Sequence, residues 1–481
     1  MHRATQVEET MGQRELIAEQ YLERLLTRRQ ILKAGTVAPL SAAFLAACGS
    51  AAPSAAPSSA APSVAPSSAT PSSAAPSESP KADFSGITLQ VWSGGTVGPP
   101  AKKAAEEWKA QTGGTAVVTV VPFGERALKF AGLISAQDPS IDIVYISGQF
   151  AGQFSDRLYE DLSALKVDTS DIVPAILPVF TSAGALRGLP LHSEMEIFIY
   201  NKTMFDAAGL DADSPPDTWD ALYAAAGKLH SGNRYGCAVP WTIGYGPGAY
   251  FLCFLNSIPD AKLLSDDRTQ VLFGDDKGLQ AFKAVEAGFK AKFFDPNIDP
   301  TVDDYGTGKM FNAGQTASQI NFAELWGYAT GGDPKNFPSK LKPEEVGTTI
   351  LPGITSGTSG SINGFEGFGI NKFSKQKEAA LHFIQFMSGP AYQKEMNLTK
   401  VLPSSLSSVL NDPDVKAVYP VGQTLAKQGG YNLDRYAAPY DWTPPFSDAF
   451  AKLYRGEIAA EQALEQTVKG VKEIVNKYLA G

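Results

Sequence analysis

Residues 189–210, LPLHSEMEIFIYNKTMFDAAGL, decide the fold, because the segments on either side of this stretch repeat one supersecondary pattern. At its centre, residues 195–200 form an unbroken run of β-branched, aromatic and other apolar side chains. Such a run is typical of a strand that is covered on both faces of an α/β sheet. We therefore predict that this stretch is the crossover between two lobes.

Two carboxylates lead into this strand. At a period of two, Glu194 and Glu196 share one side of the strand with Phe198 and Tyr200. Because a buried carboxylate is costly unless something hydrogen-bonds it, we predict that both lie at the strand's end and face a cleft. The alternative is an exposed strand end at which both acids are solvated.

Length and charge narrow the function classes. The chain has 481 residues, and the part after residue 80 is long enough for two domains. After residue 47 there are 35 basic and 45 acidic residues, so the net charge is near −10. A nucleic-acid-binding protein normally needs clustered positive charge to neutralise phosphates. We therefore expect no nucleic-acid partner.

The sequence offers no pattern for a metal or a cofactor. Beyond the leader, His192, His230 and His382 stand far apart without ligand spacing. The acidic pairs lack the alternating spacing of a calcium loop and are interpreted as solvated turn residues; they are Asp266-Asp267, Asp275-Asp276 and Asp303-Asp304. We predict no metal site and no cofactor.

The amino terminus has the layout of an export signal. The basic segment 27–33 precedes an apolar run, residues 34–47, that is too short to span a bilayer. Arg28 and Arg29 before that run resemble a twin-arginine signal, and residues 45–48, LAAC, resemble a lipoprotein lipobox. This resemblance implies that residues 1–47 are removed and that Cys48 carries lipid at the outer face of the cell membrane. The alternative is a short amphipathic leader.

Residues 48–82 are predicted to be a tether. They are almost entirely Ala, Ser and Pro, a composition with too little apolar side chain to offset the entropy of ordering. In polyproline form, at about 3.1 Å per residue, this segment reaches up to roughly 100 Å.

An α/β pattern begins near residue 86. A helix is predicted from Pro99 to Thr112, and strands are predicted at residues 87–92, 116–121 and 141–146. Alternating strands and helices favour open, mostly parallel sheets. Ligands bind such sheets beyond the carboxyl ends of the strands. This rule selects the loops that start at Trp92, Phe123 and Ser147, the first of which contains Thr96 and the last Gln149.

Aromatic side chains on loops are candidates for ligand contacts. Trp241, Tyr245 and Tyr250 flank a glycine-rich segment, whose proline argues against a dinucleotide-binding turn. Trp442 precedes a Thr-Pro-Pro sequence, and we expect its loop and that of Trp241 to keep both indoles out of the core. Trp219, in the first turn of a predicted helix, is interpreted as core packing.

Cys237 and Cys253 leave two alternatives open. If the protein is exported, the two residues are in a compartment that permits a disulfide. Two buried thiols are the other alternative, because sequence cannot place their Cα atoms within bonding distance.

The signatures of common enzyme classes are missing. The sequence has no Gly-x-Ser-x-Gly elbow, phosphate loop, zinc-binding His-Glu pair or Cys-x-x-Cys. A glycosidase, however, needs only two carboxylates at a suitable separation, and Glu194 with Glu196 or Glu324 supplies such a pair. Our interpretation is a binding protein, with a glycoside hydrolase as the alternative.

Residues 83–481 resemble extracellular solute-binding protein family 1, the carbohydrate-binding components of ABC importers that include maltose-binding protein. The resemblance rests on the order of several short motifs along the chain. They are a first strand ending in Trp92, IDIVY at 141–145, YNK at 200–202, PDTW at 216–219, GFEGFGI at 364–370 and the segment 456–464.

The resemblance implies two α/β lobes joined by several crossovers, with the ligand held between them. One lobe would comprise residues 83–193 and 364–415, and the other residues 194–363 and 416–481. It also implies a monomeric protein that delivers a carbohydrate to the permease subunits of an ABC importer. A non-sugar polyol or a polyamine is the alternative ligand.

The resemblance also assigns site residues. Glu194 falls where related sugar binders have a carboxylate, and Trp326 and Trp442 fall near sugar-stacking tryptophans. This sequence departs from maltose binders at Gln149, where they have an acid, and at Ile146, where they have an aromatic. Stacking faces and hydrogen-bonding groups are what a sugar requires. The predicted ligand-binding residues are Trp92, Thr96, Gln149, Glu194, Trp241, Tyr245, Tyr250, Glu324, Trp326 and Trp442.

Overall fold

The computed structural model describes residues 82–165, 167–241, 246–294, 302–399, 402–429, 432–434 and 441–480. The predicted signal peptide, Cys48, all but the last residue of the predicted tether and Tyr245 lie outside these residues. Among the described residues, no helix combines the length and the apolar character needed to cross a membrane.

The strands of the described part are short. They are β1 (Thr88–Ser93), β2 (Thr115–Val120), β3 (Ile143–Ser147), β4 (Thr181–Ser182), β5 (Ala185–Leu186), β6 (Leu189–His192), β7 (Glu196–Asn201), β8 (Tyr235–Ala238), β9 (Thr316–Phe322), β10 (Val346–Thr349), β11 (Gly360–Ile362), β12 (Glu366–Ile370) and β13 (Asn432–Asp434).

Helices lie between most of these strands. They are α1 (Gly98–Thr112), α2 (Phe123–Ala136), α3 (Gly148–Leu158), α4 (Lys202–Ala207), α5 (Trp219–Leu229), α6 (Gly246–Leu255), α7 (Asp276–Lys290), α8 (Asp304–Asn312), α9 (Glu324–Ala329), α10 (Lys377–Ser388), α11 (Pro390–Leu398), α12 (Ser407–Leu410), α13 (Pro413–Val418), α14 (Val421–Gln428), α15 (Pro444–Tyr454) and α16 (Ala460–Ala480).

Two sheets organise the chain. The first has the strand order β2-β1-β3-β12-β6, and the second has the order β10-β7-β9-β8. In the first sheet, β1 pairs in parallel with β2 and β3, whereas β12 runs antiparallel to β3 and β6. The α/β class predicted from the alternating pattern is therefore confirmed.

The strand directions are more mixed than the predicted mostly parallel sheets. In the second sheet only β8 and β9 are parallel, while β7 runs antiparallel to both β9 and β10. Parallel neighbours arise from strand–helix–strand units that return to the same sheet edge. Strand β7 instead follows β6 of the first sheet, and β12 follows β11, which pairs with β13 in a separate two-stranded sheet. Both β7 and β12 run antiparallel to their neighbours.

The predicted crossover is confirmed. Strand β6 ends at His192 in the first sheet, and β7 begins at Glu196 in the second. Between them, the amide of Ser193 donates to the carbonyl of Pro403 at 2.9 Å, and the amide of Gly364 donates to the carbonyl of Glu194 at 2.8 Å. These bonds fix the crossover backbone, so residues 193–195 have a defined position between the sheets.

Each sheet has its own aromatic-rich core. Trp108, from α1, stacks on Phe84 and contacts Phe383 of α10 edge-on. In the second core, Trp219 packs 4.8 Å from Phe254, as predicted for a core tryptophan. Thr218 caps α5 by accepting a hydrogen bond from the amide of Ala221.

The alternatives for the two cysteines have a clear outcome. Cys237 and Cys253 are buried thiols rather than a disulfide, and burial raises the pKa of the Cys253 thiol well above its usual value.

The long terminal helix α16 packs by one face. Val471 and Val475 are buried on that face, whereas Tyr478, in the last turn, is 48% exposed.

Candidate functional site

A cavity of about 1020 Å³ is lined by residues from both sheets and from the crossover. The first sheet contributes Tyr145 and Ser147 at the carboxyl end of β3 and Glu366 at the start of β12. Glu194 of the crossover and Glu324 of α9 also line it. The cavity thus lies where the rule for open α/β sheets predicts a ligand, beyond the carboxyl end of a parallel strand.

Carboxylates crowd this cavity. Glu194 is 4% exposed and Glu324 is 3% exposed. Burial, followed by the charges of Glu324 and Glu366, raises the pKa of Glu194 well above its usual range. Burial and Glu366 likewise raise the pKa of Glu324 to about 8. Charged forms of these carboxyls are costly here, so a ligand that donates hydrogen bonds to them is stabilising.

Tyr250 connects a second acidic group to the cavity. Its hydroxyl donates to Oδ1 of Asp304 at 2.6 Å. Burial raises the pKa of Asp304 to about 6, although the Tyr250 hydrogen bond acts in the opposite direction. Glu196, fully buried in β7, has a pKa that burial and Asp304 raise well above its usual range. Glu194 and Glu196 are therefore buried rather than solvated. Glu194 lines the cavity as predicted, whereas Glu196, predicted to face the same cleft, is not among the described residues that line it.

Aromatic rings form another wall. The Tyr328 and Phe337 rings stack with centroids 4.2 Å apart and an interplanar angle of 4°. Tyr305 lies 5.6 Å from Phe337, and its hydroxyl is 3.0 Å from Oγ1 of Thr96. Since Thr96 follows β1 and Tyr305 belongs to α8, this hydrogen bond spans the cavity between the two sheets. The rings offer flat apolar faces beside polar hydroxyls.

Tyr145 orients one of the carboxylates. Its hydroxyl donates to Oε1 of Glu366, and the guanidinium of Arg126 lies 4.4 Å from the centre of the Tyr145 ring. The Arg126 side chain also donates from Nε to the carbonyl of Val121 at 2.9 Å. The guanidinium of Arg126 is thus a cationic group close to Glu366, and it partly balances the negative charge of that carboxylate.

The structure brings four of the ten predicted site residues to this cavity. They are Thr96, Glu194, Tyr250 and Glu324. Trp92 stacks on Phe130 with centroids 6.5 Å apart, and Trp326, 6% exposed, donates from Nε1 to the carbonyl of Val346. Gln149 is in α3, but its side chain is outside the described part.

The expectation that their loops keep Trp241 and Trp442 out of the core is wrong. Each indole is only 1% exposed. Trp241 lies 5.4 Å from Phe450, and Trp442 lies 5.7 Å from Phe446. The reason is that α15 starts immediately after Trp442 and packs an aromatic face onto α6 and α7. Both indoles are part of this core.

Other residues of the cavity were missed by the sequence interpretation. Asp303 is a turn residue as predicted and caps α8, but its neighbour Asp304 lines the cavity and bonds Tyr250. The prediction of a solvated Asp304 is therefore wrong. Glu366 stands in the GFEGFGI motif, which served only as a family signature. Tyr305 and Tyr328 have no sequence signal, because a tyrosine on a short helix is as typical of a core as of a site.

Known proteins are similar to this chain. The family model for bacterial extracellular solute-binding protein matches residues 92–394. A probable ABC transporter-binding protein of Deinococcus radiodurans is 22% identical over 331 residues, which cover 66% of this chain and 76% of that protein. An sn-glycerol-3-phosphate-binding periplasmic protein of Rhizobium meliloti is 33% identical over 76 residues, 16% of this chain and 18% of that protein.

Solved structures share the fold. Maltose-bound MalE3 of T. maritima has a TM-score of 0.69 and 21% identity, and the match covers 80% of this chain and 99% of that one. A ribitol-bound ABC transporter solute-binding protein of Agrobacterium radiobacter K84 has a TM-score of 0.69 and 22% identity, covering 81% and 99%. The expected two-lobed periplasmic-binding-protein fold is thereby confirmed.

Proposed function

The chain belongs to the bacterial extracellular solute-binding protein family, and from this premise we propose that it binds a sugar or a sugar alcohol in the cavity. The bound solute is delivered to the membrane subunits of an ABC importer. Similar folds have been solved with maltose and with ribitol, which supports a polyhydroxylated ligand.

The observation that carries this proposal is the convergence of buried carboxyls and aromatic faces on one cavity. Glu194, Glu324 and Asp304 accept hydrogen bonds from ligand hydroxyls, while the stacked pair Tyr328 and Phe337 covers apolar C–H surface. A neutral ligand adds no charge to the site. Its hydroxyls satisfy acceptors that would otherwise lie buried without partners.

The same groups disfavour anionic solutes. A phosphate such as that of sn-glycerol 3-phosphate, or the carboxylate of an amino acid, would meet Glu194, Glu324 and Glu366 at close range. Arg126 and Lys309 are the basic side chains that line the described cavity, fewer than its carboxylates. Because burial raises the pKa of Glu194 and Glu324, an anionic group would lose its hydration beside carboxyls that offer it no counter-charge, so neutral hydroxyl groups fit better.

A thermal-shift screen tests the proposal. A ligand that binds only the folded state raises the melting temperature by mass action. We expect neutral sugars or sugar alcohols to raise it, and Glu194→Gln to weaken the effect. The exposed Glu344→Gln is the matched control and leaves the shift unchanged. Stabilisation by phosphates, amino acids or polyamines alone would contradict the proposal.

The same protein samples test the glycosidase alternative. A binding protein returns its sugar unchanged, so incubation with aryl-glycosides and oligosaccharides should release no product. Cleavage that Glu194→Gln abolishes would instead establish hydrolysis by the carboxylate pair.

We also propose that the protein is a monomeric lipoprotein, held outside the cytoplasmic membrane by Cys48 and the tether. Support comes from the lipobox and the twin-arginine motif in residues 1–48. Cys48→Ser should release the protein from membranes, and changing Arg28 and Arg29 to Lys should block export. A Cys48→Ser variant that remains wholly with membranes in high salt would refute the lipid anchor.

A further inference from the structure

Three side chains at one edge of the cavity face each other across two strands. Glu366 is the register partner of His192 in the β12–β6 pair, and Glu194 follows β6 by two residues. Nε2 of His192 is 3.5 Å from Oε2 of Glu366, and Nδ1 is 3.9 Å from Oε2 of Glu194. One ligand atom from each residue can be chosen so that all three lie within 4.8 Å of one another. We call these residues the His192 cluster.

Four polar atoms of this cluster lack a hydrogen-bond partner in the described part of the chain. His192 is fully buried, and neither ring nitrogen has a hydrogen-bond partner among the described residues. Oε1 of Glu194 and Oε2 of Glu366 are likewise without a partner in that part of the chain. Buried polar atoms are nearly always satisfied, so several unsatisfied ones in a single place indicate a missing ligand.

We propose that the His192 cluster binds one divalent transition-metal cation, such as Zn²⁺, Mn²⁺ or Co²⁺. An imidazole nitrogen and two carboxylate oxygens are ligand types that these cations accept, at about 2.0 to 2.2 Å. Two ligands at such distances from one ion lie roughly 3 to 3.6 Å apart at tetrahedral or octahedral angles. One ion can take only one ring nitrogen of His192, and one ligand atom from each of the three residues lies within 4.8 Å of the others. Binding therefore requires the Glu194 and Glu366 side chains to rotate toward the same nitrogen.

The surroundings hold the ligands in place. Tyr145 donates to Oε1 of Glu366, which leaves Oε2 directed toward His192. The Glu194 backbone is fixed by the amide of Gly364, and the β12–β6 pairing sets the distance between the other two residues. Outer hydrogen bonds of this kind are usual around metal sites, because they fix ligand orientation.

The cluster also has an open side. Glu194 and Glu366 line the cavity, so three protein ligands leave coordination positions that face it. Adjacent hydroxyl oxygens of a polyol suit such positions. This inference goes beyond the proposed function, because the cation binds the protein alone and requires no solute.

A competing explanation is that His192 is protonated and paired electrostatically with the two carboxylates. Its nitrogens, however, are farther from the carboxylate oxygens than the usual 2.7 to 2.9 Å of a charge-assisted hydrogen bond. A histidinium in this position would exclude a cation, so metal titration separates the two explanations.

The test is a titration of chelator-treated protein with Co²⁺, followed by visible absorption, and with Zn²⁺, followed by calorimetry. We expect one cation per chain. His192→Gln and Glu366→Gln should each weaken binding at least tenfold, as expected when a ligand is removed. His230→Gln is the matched control, since His230 lies outside the cluster, and it should bind as the wild type does.

Two results would overturn the inference. One is the lack of stoichiometric binding at millimolar cation, and the other is equal binding by the wild type and both cluster variants. Circular dichroism identifies any variant that fails to fold, and two independent cluster variants guard against this outcome. Because no solute is present in the titration, failure of this inference leaves the sugar-binding proposal intact.

Discussion

Trp442 shows how burial separates two roles of one residue. The indole is 1% exposed and packs beside Phe446 in the core. Trp442→Ala should therefore lower the free energy of unfolding by about 3 to 5 kcal/mol, because the substitution leaves a cavity. Denaturant melts measure this loss, and Leu128→Ala, at a position 71% exposed, is the control expected to change stability by less than about 0.5 kcal/mol.

The opposite outcome for Trp442 is equally clear. If a sugar stacked against the indole, Trp442→Ala would leave the stability of the unliganded protein nearly unchanged and would weaken the affinity for the sugar about 10- to 150-fold. Calorimetric titration on the same variant distinguishes these cases.

Asp304 provides a pH-dependent prediction. Its pKa is raised from 3.8 to about 6 in the folded protein, so the folded state binds the proton more tightly than the unfolded state. The associated stability is present below about pH 4 and is lost as the pH rises to about 6. As the pH rises over this interval, the free energy of unfolding of Asp304→Asn should increase by about 2 kcal/mol relative to that of the wild type. This value is smaller than the free energy that corresponds to the whole pKa shift, because Asp304 is partly exposed to solvent.

Urea melts of the wild type and of Asp304→Asn between pH 4 and pH 7 measure this difference. A stability difference that stays constant across the interval would contradict the raised pKa of Asp304.

Single residues differ in how well the sequence predicts them. Glu194 was predictable, because a carboxylate at the entrance of a buried strand needs an unusual environment. Tyr305 and Glu366 were not, since only the tertiary fold brings α8 and β12 to the same cavity. Trp442 was misjudged because the Thr-Pro-Pro sequence was interpreted as a surface loop, whereas the two prolines begin helix α15, whose Phe446 packs against the indole.

Among the elements, β12 is the one that ties a distant segment to the first sheet. It lies between β3 and β6, and a Cβ added at Gly367 would come within 2.0 Å of the carbonyl oxygen of Leu189. Gly367→Ala should therefore separate β12 from β6 and cost about 1 to 3 kcal/mol of stability. Thermal or denaturant melts measure the effect.

Gly132 is the matched control for that substitution. It stands on the exposed side of α2, and an added Cβ would meet nothing within 4 Å. Gly132→Ala should raise stability by about 0.5 to 1 kcal/mol through helix propensity. If Gly367→Ala and Gly132→Ala changed stability equally, the close contact between Gly367 and Leu189 would not be what requires glycine at position 367.

Strands and helices followed from local patterns, whereas their pairing did not. Periodicity located β1, β2, β3 and β7 to within two residues, because each is a short apolar run bounded by turn residues. The antiparallel entry of β7 and β12 depends on contacts between residues far apart in sequence. Local patterns contain no information on such pairing.

At the scale of the whole molecule, the order of motifs along the chain predicted the two-lobed fold more securely than any single motif. The lobe boundaries at residues 193 and 363 remain a prediction. If the lobes close on the solute like a hinge, small-angle scattering should record a smaller radius of gyration when the solute is added. An unchanged radius at saturating solute would contradict hinge closure.

Calorimetric titration with the most stabilising neutral sugar or sugar alcohol tests the central claim most directly. Binding should be one to one, and Glu194→Gln should weaken it about 5- to 150-fold, because one hydrogen-bonding group of the buried ligand is left without its partner. Glu344→Gln, at an exposed site, should match the wild type. Equal affinity of the wild type and Glu194→Gln would contradict the claim that this cavity holds the solute.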